Sequence, residues 1–163
     1  MNMPVVKYIV DYVRQREQET GKNIKLTLTT NGTLLTDEIV KYLNDNRVML
    51  VLSLDGSKKT HDHMRPYPGH VGSYDAAVKG FKKVIESRHG KNYYLRGTYT
   101  HYNTHFCDDV LAMLDVGSEI SMEPGSGHHG TLGADRRRLV YPGQRIRKTG
   151  PGLSGKEAGR SAF

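Results

Sequence analysis

Residues 48–65, VMLVLSLDGSKKTHDHMR, contain the segment that decides the fold. The segment begins with five consecutive apolar residues, 48–52. Such a run is typical of a strand that is buried on both faces, as strands are in parallel sheets. The run ends at Ser53, and Asp55 and Gly56 follow, where glycine allows the backbone to turn sharply. We therefore predict a buried parallel strand with Ser53 and Asp55 at its carboxyl end.

A second segment of the chain repeats this arrangement one unit earlier. Residues 24–30 form another predicted strand, and Thr30 and Asn31 at its end are followed by Gly32. The simpler interpretation is that each segment is only a turn, because Asp-Gly and Asn-Gly are common turn sequences. In parallel α/β folds, however, ligands bind at the carboxyl ends of the strands. The repetition favours a functional edge of the sheet.

The chain has one near-neutral part and one strongly basic part. Residues 1–124 hold sixteen Lys or Arg and fifteen Asp or Glu, whereas residues 125–163 hold eight and two. Nine of those last thirty-nine residues are glycine, and the apolar residues among them follow neither a helical nor a strand period. Such a segment buries too little apolar surface to offset the entropy of ordering. We predict one domain over residues 1–124 and a disordered tail over residues 125–163.

Cysteine content and hydropathy exclude several classes of protein. Cys107 is the one cysteine of the sequence, so a disulfide framework is excluded, as is any cluster or zinc site that needs several thiolates from this chain. No run of about eighteen apolar residues is present, which predicts that the chain does not enter a membrane. The N-terminus lacks the basic and apolar regions of a signal peptide, which predicts a cytoplasmic protein.

Helix and strand patterns alternate along residues 1–124 in the order αβαβαβαβ. The predicted helices cover residues 1–20, 37–44, 74–87 and 108–116, and the predicted strands cover residues 24–30, 48–52, 93–100 and 118–124. Residues 57–72 are predicted to be a polar, exposed connection, and Thr36 and Ser73 to cap the helices that follow them. Alternation with short links favours right-handed βαβ units, and therefore a parallel sheet with helices on one face.

Six short motifs in this part of the chain resemble those of a known enzyme family. In chain order they are TTNGTLL (29–35), LSLDG (52–56), HDxxR (61–65), GSYD (72–75), YYLRGTYT (93–100) and ISMEP (120–124). As a set they resemble the radical S-adenosylmethionine (SAM) enzymes that carry a SPASM domain. Within that family the resemblance is to the SCIFF peptide maturases, which form thioether cross-links in ribosomally synthesised peptides (RiPPs).

The resemblance implies a fold, two cofactors and a substrate. The fold would be a partial radical SAM (β/α)6 TIM-like barrel, truncated here to about four parallel strands with outer helices, from the family's second helix to its sixth strand. SAM and a 4Fe-4S cluster serve the intact family, and its substrate is a peptide. This chain lacks the CxxxCxxC cluster loop, the GGEP motif and the SPASM domain. We therefore expect no cluster in this chain and a fragment that is inactive alone.

The resemblance also implies which residues face SAM, although it assigns no catalytic residue and no metal ligand to this chain. Seven residues would line the cofactor site: Thr30, Asn31, Ser53, Asp55, Arg65, Arg96 and Glu123. Ser53 and Asp55 would face the ribose and carboxylate of SAM, and an arginine could bind its carboxylate with two parallel hydrogen bonds. The alternatives stay open that Arg65 is an ordinary loop arginine and that Arg96 lies on an exposed strand face.

The remaining polar residues carry weaker predictions. His61 and His63 flank Asp62 and could suggest a metal site, but in an exposed connection they are interpreted as loop structure. Cys107, at the start of a helix, is interpreted as a small buried apolar group.

The sequence after residue 124 departs from the family and allows two interpretations, an out-of-frame segment or a genuine basic tail. The second supports an alternative function, in which a small basic protein contacts RNA or an acidic partner through the Arg-rich tail around residues 136–138. Aromatic residues for base stacking are sparse there, which makes nucleic acid the less favoured partner.

Overall fold

The computed structural model describes residues 1–104 and 106–125, apart from the side chain of residue 106. Helices and strands alternate as predicted, with one additional helix in the connection after the second strand. The helices are α1 (Met3–Thr20), α2 (Asp37–Asp45), α3 (Lys58–Met64), α4 (Tyr74–Ser87) and α5 (Phe106–Leu114), and the strands are β1 (Thr27–Thr30), β2 (Met49–Ser53), β3 (Tyr93–Tyr99) and β4 (Ile120–Pro124). The predicted tail, including the Arg-rich run, lies outside the described residues.

The four strands form one sheet in the order β1-β2-β3-β4, and all neighbouring pairs are parallel. The predicted parallel sheet is therefore confirmed. Its register aligns Thr30, Leu52, Leu95 and Ile120 in one row across the sheet. The next row, one residue further along each strand, points to the opposite face, because side chains alternate along a strand. Consecutive rows thus separate an apolar face from a polar one.

The hydrophobic core lies between the apolar face and the helices. Leu52 and Leu95 are fully buried there, together with Phe81 and Val84 of α4. Each such side chain contributes about 1.5–3 kcal/mol relative to leaving it in water. Val51 is also buried, but it lies outside this core cluster because it points to the opposite face. The core thus fixes α4 against β2 and β3, whereas on the opposite face the β2 residues Val51 and Ser53 are buried outside this core.

Helix α1 buries a narrower stripe than its sequence predicts. Val10 is buried and Val6 packs against the core, but Val5 and Ile9 are 49% and 48% exposed. The buried stripe is centred on Val10, and at about 100° per residue Ile9 falls on its flank. The helical period of residues 1–20 predicts that Val5, Val6, Ile9, Val10 and Val13 face inward, and this prediction is wrong for Val5 and Ile9.

Strand β1 begins three residues later than predicted. The backbone N–H of Ile24 donates to Oε1 of Glu17 at 2.7 Å. It therefore bonds to a side chain of α1 and does not pair with a neighbouring strand. Leu26 accepts a hydrogen bond from the N–H of Met49, and the paired strand starts at Thr27. In the described part of the chain, no helix is long and apolar enough to cross a membrane.

Candidate site at the carboxyl edge of the sheet

The polar face of the sheet carries three of the predicted site residues near its carboxyl edge. Ser53 is aligned with Arg96 and Ser121 in the register, and Glu123 follows two residues later on the same face. Arg96 donates from Nη2 to Oε2 of Glu123, and both side chains are just under half exposed. Neighbouring strands are about 4.8 Å apart, so Ser53, which is only 8% exposed, lies next to the part-exposed ion pair that a small ligand can contact.

Asp55, by contrast, is enclosed by protein. Its side chain is 2% exposed, and it accepts three hydrogen bonds. Oδ2 receives Nε of Arg65 at 2.5 Å, and Oδ1 receives Nη2 of Arg65 at 3.2 Å and the backbone N–H of Thr98 at 2.9 Å. The carboxylate therefore ties the end of β2 to β3 and holds Arg65 at the carboxyl edge.

Arg65 keeps part of its guanidinium in solvent. Its side chain is 38% exposed, and its two contacts with Asp55 use Nε and Nη2. A guanidinium has five N–H donors, so Nη1 remains able to contact a ligand. Arg65 is thus held by a carboxylate. The alternative interpretation of Arg65 as an ordinary loop arginine did not anticipate this contact.

A buried histidine holds Asp55 and Ser73 in place at this edge of the sheet. His61 is 1% exposed, its Nδ1 accepts the backbone N–H of Asp55 at 3.3 Å, and its Nε2 lies 3.2 Å from Oγ of Ser73. Because Oγ of Ser73 donates to the carbonyl oxygen of Arg65 at 2.6 Å, we assign the imidazole proton to Nε2. Burial lowers the pKa of His61, so the ring is neutral in the folded chain, as this tautomer requires.

The connection over residues 57–72 is exposed as predicted over residues 66–72, but its first half differs from the prediction because it forms a helix with His61 buried. It contains α3, whose Ser57 cap accepts the N–H of Thr60. Burial would raise the pKa of Asp62, but the backbone N–H of Tyr74 and the ammonium of Lys58 together lower it. The polar side chains of α3 have hydrogen-bond and ion-pair partners that a single sequence does not reveal. These contacts hold the helix against the domain.

Only one of the two predicted helix caps is observed. Thr36 caps α2 by accepting the N–H of Ile39, as predicted. Ser73 makes no capping bond to α4, because its hydroxyl is used by His61 and Arg65. Asp62 takes its place and accepts the N–H of Tyr74 at 2.8 Å.

Thr30 and Asn31 lie at the same edge, but both stabilise the turn after β1. Oγ1 of Thr30 accepts the N–H of Gly32 at 3.1 Å, and Oδ1 of Asn31 accepts the hydroxyl of Thr33 at 3.1 Å. Thr30 is also aligned with Leu52 in the register, so it belongs to the apolar face of the sheet. The turn brings Gly32 against Gly80 of α4, where a Cβ on Gly80 would lie 2.1 Å from the Gly32 oxygen. The glycine of the TNG motif thus serves close packing.

The residues of the described chain do not fit an iron–sulfur cluster. Cys107 is exposed, which also corrects its prediction as a buried apolar group. Within residues 1–104 and 106–125, no group of three or more His, Cys, Asp or Glu side chains is arranged to hold a metal. Both ring nitrogens of His61 are occupied by protein groups, which argues against a metal at the HDH segment.

The polar face does fit parts of a zwitterionic ligand. The guanidinium of Arg96 can bind a carboxylate, the carboxylate of Glu123 can accept from an ammonium or hydroxyl, and Ser53 can do either. The Arg96–Glu123 pair is exposed enough for a ligand to reach both partners. Sequence reasoning missed His61 and Ser73, whose contacts join residues up to twelve positions apart.

Two curated proteins and a solved structure are similar to this chain. Fe-coproporphyrin III synthase of Methanosarcina barkeri is 30% identical over 138 residues, which are 84% of this chain and 30% of that protein. The serine-type anaerobic sulfatase-maturating enzyme of Bacteroides thetaiotaomicron is 26% identical over 92 residues, 56% of this chain and 22% of that enzyme. No protein-family profile matches the chain.

The solved structure is native anSMEcpe with bound AdoMet (SAM) and Cp18Cys peptide. It matches with a TM-score of 0.67 at 16% identity, over 81% of this chain and 38% of that one. The chain thus spans less than half the length of each protein that it resembles here. The match confirms the predicted fold, an α/β domain that corresponds to part of a radical SAM TIM-like barrel. The relatives support the resemblance at the level of radical SAM maturases, and the SCIFF assignment stays a prediction.

Proposed function

We propose that this chain is part of a radical SAM maturase and supplies one side of its SAM site. The observation that carries the proposal is the set of polar side chains on one face of four parallel strands, at their carboxyl edge. Ser53, Arg96 and Glu123 lie there without a place in the hydrophobic core. SAM supplies the sulfonium whose S–C5′ bond is broken in this family, and the protein supplies position and electrostatics.

The seven predicted residues divide into two groups in this proposal. Ser53, Arg96, Glu123 and Arg65 would contact SAM, with the arginines taking the carboxylate and Glu123 the amine or a ribose hydroxyl. Asp55, Thr30 and Asn31 would act through their neighbours: Asp55 holds Arg65, and the other two shape the turn after β1. No step of the reaction is assigned to these residues, because the described chain has no place for the cluster.

The proposed substrate is a peptide, and the proposed reaction is thioether cross-link formation. The peptide is supported by the named relative that matures sulfatases and by the neighbour solved with a peptide. The thioether reaction, the SPASM domain and the RiPP assignment rest on the resemblance of the six motifs to the SCIFF maturases. These activities belong to the intact enzyme, and we propose that this chain alone does not perform them.

Titration calorimetry with SAM tests the proposed half site. We expect weak binding, millimolar at best, because each tenfold loss of affinity corresponds to about 1.4 kcal/mol and several family contacts are lacking here. Ser53→Ala and Arg96→Gln should each weaken binding further. Ser118→Ala is the control for a serine outside the site, because Ser118 lies before the amino end of β4 and is exposed, whereas Ser53 is buried.

Two results would contradict the proposal. Micromolar binding that survives both substitutions would place SAM elsewhere and refute the predicted weakness. Equal losses in Ser53→Ala and Ser118→Ala would show that the carboxyl edge is not the site.

A further inference from the structure

A second candidate site lies at the opposite, amino edge of the sheet. A cavity of about 540 Å³ opens beside the first residues of β1 and β2. It is bounded by Arg14 of α1, by the segment between α1 and β1, and by the C-terminal end of α4. Small-molecule sites typically have volumes of about 300–1,000 Å³, so this cavity is large enough for a ligand.

The lining of this cavity is positively charged. Four basic residues contribute to it, Arg14, Lys25, Arg47 and Arg88, and among residues 1–104 and 106–125 no aspartate or glutamate does. This excess is local, because residues 1–124 as a whole are nearly neutral. The remaining polar lining consists mainly of asparagines and includes Asn44.

The guanidinium of Arg88 donates hydrogen bonds to three neutral acceptors. It donates to Oδ1 of Asn44 at 2.6 Å, to the carbonyl oxygen of Val48 at 2.8 Å and to that of Asn92 at 2.5 Å. Burial lowers the pKa of Arg88. Three bonds leave two N–H donors of the guanidinium, and a partly buried cation without a carboxylate is stabilised when an anion approaches.

The carboxylate of Glu17 pairs with two of these arginines and is shared with a backbone group. Oε2 of Glu17 lies 2.6 Å from Nη1 of Arg14 and 3.4 Å from Nη2 of Arg47, and its Oε1 accepts the N–H of Ile24. Within the part of the chain that the structure describes, Nε of Arg14 is nevertheless buried without a hydrogen-bond partner. Arg47 is 70% exposed, so most of its donors are free to reach a ligand.

We propose that this amino-edge cavity binds a small phosphate-bearing molecule. Phosphate offers several oxygens to donors that converge from different directions, and arginine binds it with two parallel hydrogen bonds. The four basic residues reach the cavity from α1, from two loops and from the end of α4. The site is separate from the proposed SAM site, which lies at the other end of the strands.

Pyrophosphate is the probe for this site. We expect saturable binding to the full chain by calorimetry, weakened at least ~tenfold by the double change Lys25→Gln and Arg47→Gln, because two charged contacts are lost. Both side chains are exposed, so the variant should fold. The matched control is Lys59→Gln with Lys82→Gln, which removes the same charge from exposed positions on α3 and α4. The control should bind within about twofold of the unchanged chain.

Backbone amide shifts in NMR spectra identify where the probe binds. We expect shifts at residues 23–27, 47–49 and 88. Absent binding, equal loss in both double variants, or shifts confined to residues 126–163 would overturn the proposal. A short single-stranded RNA that loses affinity in the Lys25/Arg47 variant, while pyrophosphate does not bind, would also overturn it in favour of a nucleic-acid surface.

Discussion

His61 is the residue on which the order of the carboxyl edge depends. Its neutral ring accepts the N–H of Asp55 and contacts Ser73, which in turn holds the carbonyl of Arg65. A proton on Nδ1 would turn this acceptor into a donor that faces another donor. The edge should therefore be sensitive to acid, even though His61 contacts no ligand.

The first prediction is a loss of stability on mild acidification. Burial lowers the pKa of folded His61 below its ordinary value of 6.5, so below pH 6.5 the unfolded chain binds the proton more strongly. Stability is fully present above that pH and should fall by about 1 kcal/mol per pH unit below it, until the folded pKa is reached. Urea unfolding between pH 7.5 and 5 measures this slope, in steps of about half a unit.

His61→Gln should reduce this slope, and His63→Gln is the control, because His63 is exposed on the same helix. Equal slopes in the unchanged chain and in His61→Gln would show that another group causes the acid loss.

The second prediction separates the two contacts of Asp55. Asp55→Asn keeps an oxygen for the N–H of Thr98 but loses the ion pair with Arg65, and we expect a cost of about 2 kcal/mol. Asp55→Ala loses both contacts and should cost more, because the partly buried N–H of Thr98 is left without this partner. Denaturant unfolding gives both values, and equal costs would show that Thr98 gains nothing from the side chain.

At the scale of single residues, the sequence predicted where the site residues lie in the fold better than it predicted which groups they contact. Ser53 and Asp55 lie at the end of a buried strand, as the change from apolar to polar residues indicated. The burial of His61 could not be predicted, because its partners Asp55 and Ser73 lie six and twelve residues away. Such contacts exist only after α3 has packed onto the domain.

At the scale of elements, α4 packs very closely against the turn after β1. Gly80 faces Gly32 so closely that a methyl group has no room, and a Cβ on Gly32 would overlap Phe81. Alanine normally favours a helix over glycine by about 1 kcal/mol, so helix propensity and packing oppose each other at Gly80.

The third prediction is that packing prevails. Gly80→Ala should destabilise the domain by about 2 kcal/mol or more, because backbone atoms cannot move aside as a flexible side chain can. The comparison is Gly90→Ala, where nothing lies within 4 Å and only the positive φ of 72° opposes the change. Thermal unfolding measures both, and a stabilised Gly80→Ala variant would contradict the packing.

Element types were more predictable than element ends. The helical and strand periods identified eight of the nine elements in the described chain, and the cap at Thr36 gave the start of α2. Tertiary contacts moved the start of β1 and transferred the cap of α4 from Ser73 to Asp62. Helix α3 could not be predicted from a helical period, because its seven residues make barely two turns and are mostly polar.

At the scale of the whole molecule, the fourth prediction is that this chain binds no 4Fe-4S cluster. The family's cluster loop uses three thiolates, and Cys107 is the one cysteine of the sequence. Anaerobic reconstitution should therefore give no stoichiometric iron or sulfide, and no broad absorption typical of such a cluster. Stoichiometric cluster in a Cys107→Ser variant would show that the chain uses ligands outside the family pattern.

The central claim is that the polar face at the carboxyl edge is one side of a SAM site. NMR titration of the labelled chain with SAM tests it most directly, because it reports where a weak ligand binds. We predict millimolar binding, with amide shifts concentrated at Ser53, Leu54, Arg96 and Glu123 and reduced at the same SAM concentration by Arg96→Gln. Shifts confined to the amino edge around Thr27 and Met49, or tight binding that Arg96→Gln leaves unchanged, would contradict the claim.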